Sequence, residues 1–174
     1  MELVILPQGV AYLQGQEFTC ALGRSGVSDH KLEGDGATPS GIFGLRNVLY
    51  RADRVAAPDT LLPIAALSPQ DGWCDAPDDP DYNRRVVLPH RTRCESLWRD
   101  DHIYDLIAVT NYNEAPATPG KGSAIFMHIA RDGYTGTEGC IAFSEPDLRL
   151  ILAEIGPQDI IRDRKSTRLN SSHL

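Results

Sequence analysis

Punctuation by glycine and proline constrains this chain most. Fifteen glycines and twelve prolines are spread over 174 residues, so apolar stretches stay short. The longest runs are Leu3 to Leu6 and Leu61 to Leu67, the second interrupted by Pro63. Neither approaches the roughly 20 apolar residues a membrane-spanning helix needs. Short segments between breaks read as strands. Glu2 to Leu6, Val10 to Leu13 and Glu17 to Leu22 are separated by Pro7-Gln8-Gly9 and Gln14-Gly15-Gln16, a hairpin pattern. Gly23 to Gly41 reads as a long loop, and Ile42 to Arg51 resumes an apolar pattern. Residues 68 to 84 carry Pro69, Pro77 and Pro80, which exclude a regular element through most of the region. Further strands are predicted at Val86 to Leu88, Ile103 to Val109, Ser123 to Ile129, from Cys140 to Phe143, and at Asp159 to Arg162.

One helix is well signalled. Ser144-Glu145-Pro146-Asp147 is a capping box with proline in the first turn. Leu148, Leu152 and Ile155 follow at helical spacing, and Gly156-Pro157 stops the helix. The expected fold is mainly β with one C-terminal helix. A single domain is expected over residues 1–163. Residues 164–174 break the pattern and resemble a translated sequencing-adapter read-through, so they are read as a non-native or disordered tail.

Charge narrows the partners. Lys plus Arg number 17 against 24 Asp plus Glu, for a net charge of -7. Nucleic acid needs a basic stripe, so it is not expected as a partner. No signal peptide is visible, because Met1-Glu2 places an acid where a basic region belongs. The protein is thus expected either to work where it is made or to begin after a leader.

The chemistry lies between Ser123 and Ser144. His128 sits in an apolar strand, and Cys140 follows a glycine twelve positions later. That spacing lets one strand end and its successor lie beside it, with His and Cys facing each other. A thiol of ordinary pKa is only a few per cent thiolate at pH 7, and an adjacent imidazole can take its proton. Gly139, lacking a Cβ, lets a carbonyl approach the amides of Glu138, Gly139 and Cys140, a candidate oxyanion hole. Trp73, Tyr82, Asn111, Asn113 and Thr137 are candidates for substrate contact. Cys20, Cys74 and Cys94 form no C-x-x-C pair and are read as structural, so no metal is expected.

The segment Thr-Glu-Gly-Cys-Ile-Ala at 137 to 142, preceded by Phe-Met-His at 126 to 128, resembles the signature of the YkuD-type L,D-transpeptidases. The segment Gly-Asp-Gly-Ala-Thr-Pro-Ser-Gly-Ile-Phe at 34 to 43 is similar to that family's D-G-x-T-P-x-G-x-F motif. The resemblance spans roughly residues 2 to 163. Glu138 stands where the family usually has His, Ala142 where many members are polar, and Ile129 where Gly is common. The His-to-Cys loop is also short. These departures suggest a divergent branch.

The resemblance implies a YkuD-like β-sandwich or barrel. It implies Cys140 as nucleophile and His128 as base, oriented by a backbone carbonyl, with no cofactor. The implied substrates are peptidoglycan stem peptides, and the implied location is the periplasm or cell envelope. Transfer between stem peptides is the first expectation. Hydrolysis of the same peptides by a carboxypeptidase or amidase, or wall binding without turnover, are the alternatives.

Overall fold

The computed structural model describes residues 1–166; the end of the expected tail, residues 167–174, lies outside the described residues. In chain order the elements are β1 (Glu2–Leu6), β2 (Val10–Leu13), β3 (Gln16–Thr19), β4 (Val27–Ser28), β5 (Thr38–Pro39), β6 (Gly41–Phe43), β7 (Leu45–Tyr50) and β8 (Ile64–Ala66). There follow β9 (Asp71–Trp73), β10 (Arg85–Val87), β11 (Glu95–Ser96), β12 (Leu106–Thr110), β13 (Phe126–Ile129), a 3₁₀ turn at Asp132–Tyr134, β14 (Ile141–Phe143), α1 (Glu145–Glu154) and β15 (Ile160–Asp163).

Two five-stranded sheets carry the fold, ordered β3-β2-β1-β15-β6 and β14-β13-β12-β7-β8. The chain passes from one to the other at Gly44, between β6 and β7. There Asn111 Oδ1 accepts from the Gly44 amide at 2.9 Å, and the Asn111 amide donates to the Gly44 carbonyl at 3.0 Å. β9, β10 and β11 form a small third sheet, and β4 pairs with β5.

The second sheet separates two cores, as the period-2 alternation of strand side chains requires. One face places Leu106, Ala108, Met127, Ile129, Ile141 and Phe143 against Leu3, Ile5 and Ile161 of the first sheet and Leu148, Ile151 and Leu152 of α1. The opposite face places Leu49, Ile107, Val109, Phe126 and Cys140 against Trp73 of β9 and Leu97 and Tyr104 from the loops.

The helix forms where its signals lie. Ser144 Oγ accepts from the Asp147 amide, a proline occupies the first turn, and the helix stops at the Ile155 cap. The β1–β2–β3 meander also follows the sequence pattern, although β3 ends at Thr19. Residues 68 to 84 are not wholly irregular, since β9 occupies Asp71–Trp73. Neither its three residues nor those of β8 and β11 carry a periodic signal. Pairing with distant partners makes them strands.

Beyond β15 the chain stays in register for one more bond, from the Arg164 amide to the Ile5 carbonyl at 3.0 Å. Asp163 turns inward beside β1 and β6 and is 3% exposed. Neither carboxyl oxygen has a hydrogen-bond partner among the described residues. Burial pushes this carboxyl up to about 8, and the Arg164 amide offsets only part of the effect. The unfolded chain loses this proton near pH 4. Between pH 4 and 8 the folded state therefore binds more protons, and its stability falls as pH rises. The melting temperature should decline across that window. Asp163→Asn should flatten the decline and raise the melting temperature at pH 8.5 by at least about 3 °C, the shift that ~1 kcal/mol gives in a domain of this size. An unchanged pH profile in thermal melts of the variant would contradict this account of Asp163.

Candidate active site

β13 and β14 are neighbours and run parallel, with Met127 opposite Ile141 and His128 opposite Ala142. A hairpin return would have made them antiparallel. Instead residues 130 to 140 cross back over the sheet end, so that Cys140 falls beside Phe126. Phe126, His128 and Cys140 consequently share one face of the sheet, the side of the loop-covered core.

The crossover is held by short contacts. Thr137 Oγ1 donates to the Cys140 carbonyl at 2.7 Å and accepts from the Gly139 amide at 3.0 Å. The Arg24 amide donates to the Thr137 carbonyl, and the Thr137 amide to the Leu22 carbonyl. Gly139 is required at its position. Its φ is +142°, and a Cβ would lie 2.8 Å from the Ala37 carbonyl oxygen.

Ala37 belongs to the segment 34 to 43, so the two matched motifs meet here. Asp35 in that segment accepts from Lys31 Nζ at 2.6 Å and from the amides of Leu32 and Ala37. Burial alone would raise the Asp35 carboxyl, but these donors hold it below the usual carboxylate range.

Cys140 opens on a cavity of about 270 Å³ whose walls include Lys31, Glu138 and Gly139. Glu33, Asp75 and Glu95 add three more carboxylates to its lining, and Tyr104 closes the side nearest the histidine. The cavity is acidic, with Lys31 as its cation. Three of its carboxylates are held by side chains. Glu33 accepts from Tyr82 and Ser123, Glu95 from Tyr104, and Glu138 from Arg24. Burial raises the Asp75 carboxyl.

The thiol is 7% exposed, and its Sγ donates to the Ala124 carbonyl at 3.1 Å and accepts from the Phe126 amide at 3.4 Å. Burial pushes it up to about 12. His128 is 3% exposed, and burial lowers it to about 4. Its Nδ1 lies 2.9 Å from the Ile129 carbonyl oxygen. A carbonyl only accepts, so Nδ1 carries the proton and Nε2 is left as the base. The ring meets Tyr104 edge-on at 5.4 Å between centroids. Tyr104 rather than His128 lines the cavity on this side.

Cys and His are thus both neutral at pH 7, in place of the partly ionised thiol expected beside an imidazole. Burial disfavours the charged form of both groups, so a standing thiolate–imidazolium pair is disfavoured in the resting site.

Other sequence candidates fall outside the cavity lining. Trp73 and Tyr82 line a second cavity of about 470 Å³. Trp73 Nε1 donates to Asn83 Oδ1 at 2.9 Å, and the same oxygen accepts from the Ala124 amide at 3.1 Å. Both therefore support the segment that holds the thiol. Asn111 clamps Gly44 at the sheet crossing. Asn113 folds its own loop, accepting from the Thr118 amide and donating to the Gly122 carbonyl. Thr137 is 5% exposed and positions the Cys140 turn.

Of the three amides expected to face an oxyanion, that of Gly139 is already committed to Thr137 Oγ1. Lys31 was not singled out by the sequence reading. Its signal is its place four residues before the motif's aspartate.

Residues 4–162 match the family model of the YkuD L,D-transpeptidase catalytic domain. Among solved structures, the chain is similar to the helical cell shape determining protein Pgp2 from Campylobacter jejuni, at 14% identity and TM-score 0.47, covering 97% of this chain and 48% of that one. It is similar to L,D-transpeptidase 3 from Mycobacterium tuberculosis in complex with a faropenem-derived adduct, at 14% identity and TM-score 0.44, covering 94% and 59%. It is also similar to an L,D-transpeptidase from Mycobacterium smegmatis, at 13% identity and TM-score 0.41, covering 94% and 58%. The chain thus spans about half to three-fifths of these proteins. No curated protein sequence matches it.

The neutral pair has a measurable signature. Alkylation of Cys140 by iodoacetamide, followed by peptide mass spectrometry on the folded protein, should be slow at pH 7 and keep rising through pH 9. A plateau between pH 5 and 8 would mean a standing thiolate–imidazolium pair and would contradict the buried, neutral thiol.

Proposed function

The chain belongs to the YkuD L,D-transpeptidase catalytic-domain family, and from that premise we propose that it transfers acyl groups between peptidoglycan stem peptides through Cys140. The observation that carries this reading is the shared sheet face: Cys140 opens on a cavity, and His128 lies two positions along on the neighbouring strand with Nε2 unprotonated.

In the first half-reaction Sγ attacks a stem-peptide carbonyl while its proton passes to His128 Nε2. The developing oxyanion faces the amides of Glu138 and Cys140, with the Lys31 cation nearby. His128 then gives its proton to the departing amine, leaving a thioester on Cys140. In the second half-reaction an amine of another stem peptide attacks the thioester. His128 takes the amine's proton and returns one to the sulfur, so the enzyme is regenerated.

The cavity's carboxylates favour a substrate bearing a free ammonium group, which a stem-peptide acceptor supplies. The place of action under this reading is the cell envelope, where cross-linked wall is found. No helix among the described residues is long and apolar enough to cross a membrane.

Mass spectrometry of muropeptides incubated with the protein tests the proposal. New cross-linked dimers are expected, and Cys140→Ala should abolish them while circular dichroism stays unchanged. His128→Ala should lower the rate by about 10² to 10⁴, the usual cost of losing a general base. Shortened monomers without dimers would mean that water is the acceptor. Unaltered activity in Cys140→Ala would overturn the reading altogether.

A further inference from the structure

The strongest unassigned cluster lies outside the reaction described above, in the loop that leaves β9 and returns at β11. Glu95 pairs with Trp73 across the antiparallel ladder. The next positions outward, Cys94 and Cys74, therefore face one another. Between them in sequence lies His90. The thiol sulfurs of Cys74 and Cys94 and one ring nitrogen of His90 all lie within 4.8 Å of one another. Cys74 is buried and the other two are half-buried. We propose that Cys74, His90 and Cys94 bind one Zn²⁺ ion, with a fourth position open to solvent.

The donor set fits zinc. Two thiolates and an imidazole are the ligands that structural and open zinc sites use, at about 2.3 Å for sulfur and about 2.0 Å for nitrogen. Ligand atoms around a tetrahedral ion are then about 3.5 Å apart, so the three groups need to close by only about an ångström. The histidine is also held in the right form. Asp79 has a fully buried side chain and lies 3.1 Å from His90 Nε2. Its other bonds come from the Asp81 amide, Arg91 and Thr92. In this contact the carboxylate accepts from Nε2, which leaves the other ring nitrogen with its lone pair. A carboxylate fixing the tautomer of a ligating histidine is the usual outer shell of a zinc site.

Cys94 donates to the Thr92 carbonyl at 3.5 Å. On binding, it and Cys74 each release a proton to solvent, and the two thiolates take the metal. A Cys74–Cys94 disulfide is the competing product of the same pair, but it gives the His90–Asp79 bond no role. Sequence spacing hid the cluster, because sixteen positions separate Cys74 from His90 and four separate His90 from Cys94. The expectation of no metal rested on the absence of a C-x-x-C pair. The site is also well placed to matter. Asp75 follows Cys74, Glu95 follows Cys94, and both acids line the cavity at Cys140.

The test uses the whole protein, reduced, stripped with a chelator and titrated with Zn²⁺ against a chromophoric competitor, with metal content measured by mass spectrometry. One zinc per chain is expected. Cys94→Ser and His90→Ala should each weaken binding at least tenfold, while Cys20→Ser should leave it unchanged. Because a variant can misfold, Co²⁺ added to the unaltered protein gives a second measure. It should produce a thiolate-to-metal charge-transfer band and the visible spectrum of a tetrahedral site. Three results would overturn the proposal: a folded protein that takes up no zinc, zinc affinity unaffected by Cys94→Ser, or a Cys74–Cys94 disulfide found by intact mass in protein purified without reductant and with zinc present. All are read from the metal or the thiols, so they stand apart from the outcome of the muropeptide assay.

Discussion

The parallel pairing of β13 with β14 is the constraint on which the rest of the site depends. It sets Cys140 beside Phe126 and places His128 on the same face, two residues further along. A one-residue slip of β14 would turn Cys140 to the other face, away from His128 and toward the α1 core. The register is protected from both ends. α1 packs against β13 through the helix that Ser144 caps, and the crossover is pinned by Thr137 to the Cys140 carbonyl. The segment Ala21 to Arg24 then lies along the outer side of β14, with Ala21 and Ala142 exchanging amide bonds. Gly139 admits the Ala37 carbonyl at the closest point. One contact thereby joins sequence motifs about a hundred residues apart.

Burial sets the electrical character of the pair. Both groups are held neutral because charge is costly away from water. The backbone supplies two weak bonds to the thiol and one to the imidazole, and the cation of the cavity, Lys31, is already engaged by Asp35. A thiol held this way stays protonated while the site is empty. Protonation also shields the sulfur, since oxidation and alkylation both favour the thiolate. The acids of the cavity reinforce this restraint, because a ring of carboxylates disfavours further negative charge on sulfur. They also favour a cationic visitor.

Much of the fold was legible in the sequence, where the signal is local. The capped helix, the β1–β2 hairpin and the apolar strand β13 were readable because caps, turns and unbroken apolar runs act within a few residues. β8, β9 and β11 were not, since two or three residues hold no period and only distant partners define them. That His128 and Cys140 would come to one place on neighbouring strands was readable from their spacing joined to a family likeness. The walls around them were not. Lys31, Glu33, Asp75, Glu95 and Tyr104 come from segments whose meeting is a tertiary event. The aromatic and amide residues of the Pro-rich loops looked equally suited to holding a ligand. In the structure Asn111 and Asn113 instead satisfy backbone groups, and Trp73 and Tyr82 brace the thiol's support from a second cavity.

The placement of β1 has a consequence for how the chain is made. Its parallel partner is β15, with Glu2 opposite Ile160, 158 positions later. During synthesis β1 can form its meander with β2 and β3 early, but one edge of that sheet stays open until residues 160 to 163 have left the ribosome. Only then can β15 enter between β1 and β6 and cover both. Long-range pairing of this kind is slow, because a large loop must close before any bond repays it. Until that closure the nascent chain exposes an apolar strand edge formed by Leu3, Val4 and Ile5, the kind of surface that recruits chaperones or a second copy of itself. Yield of folded protein should thus depend on the arrival of β15, far in sequence from β1.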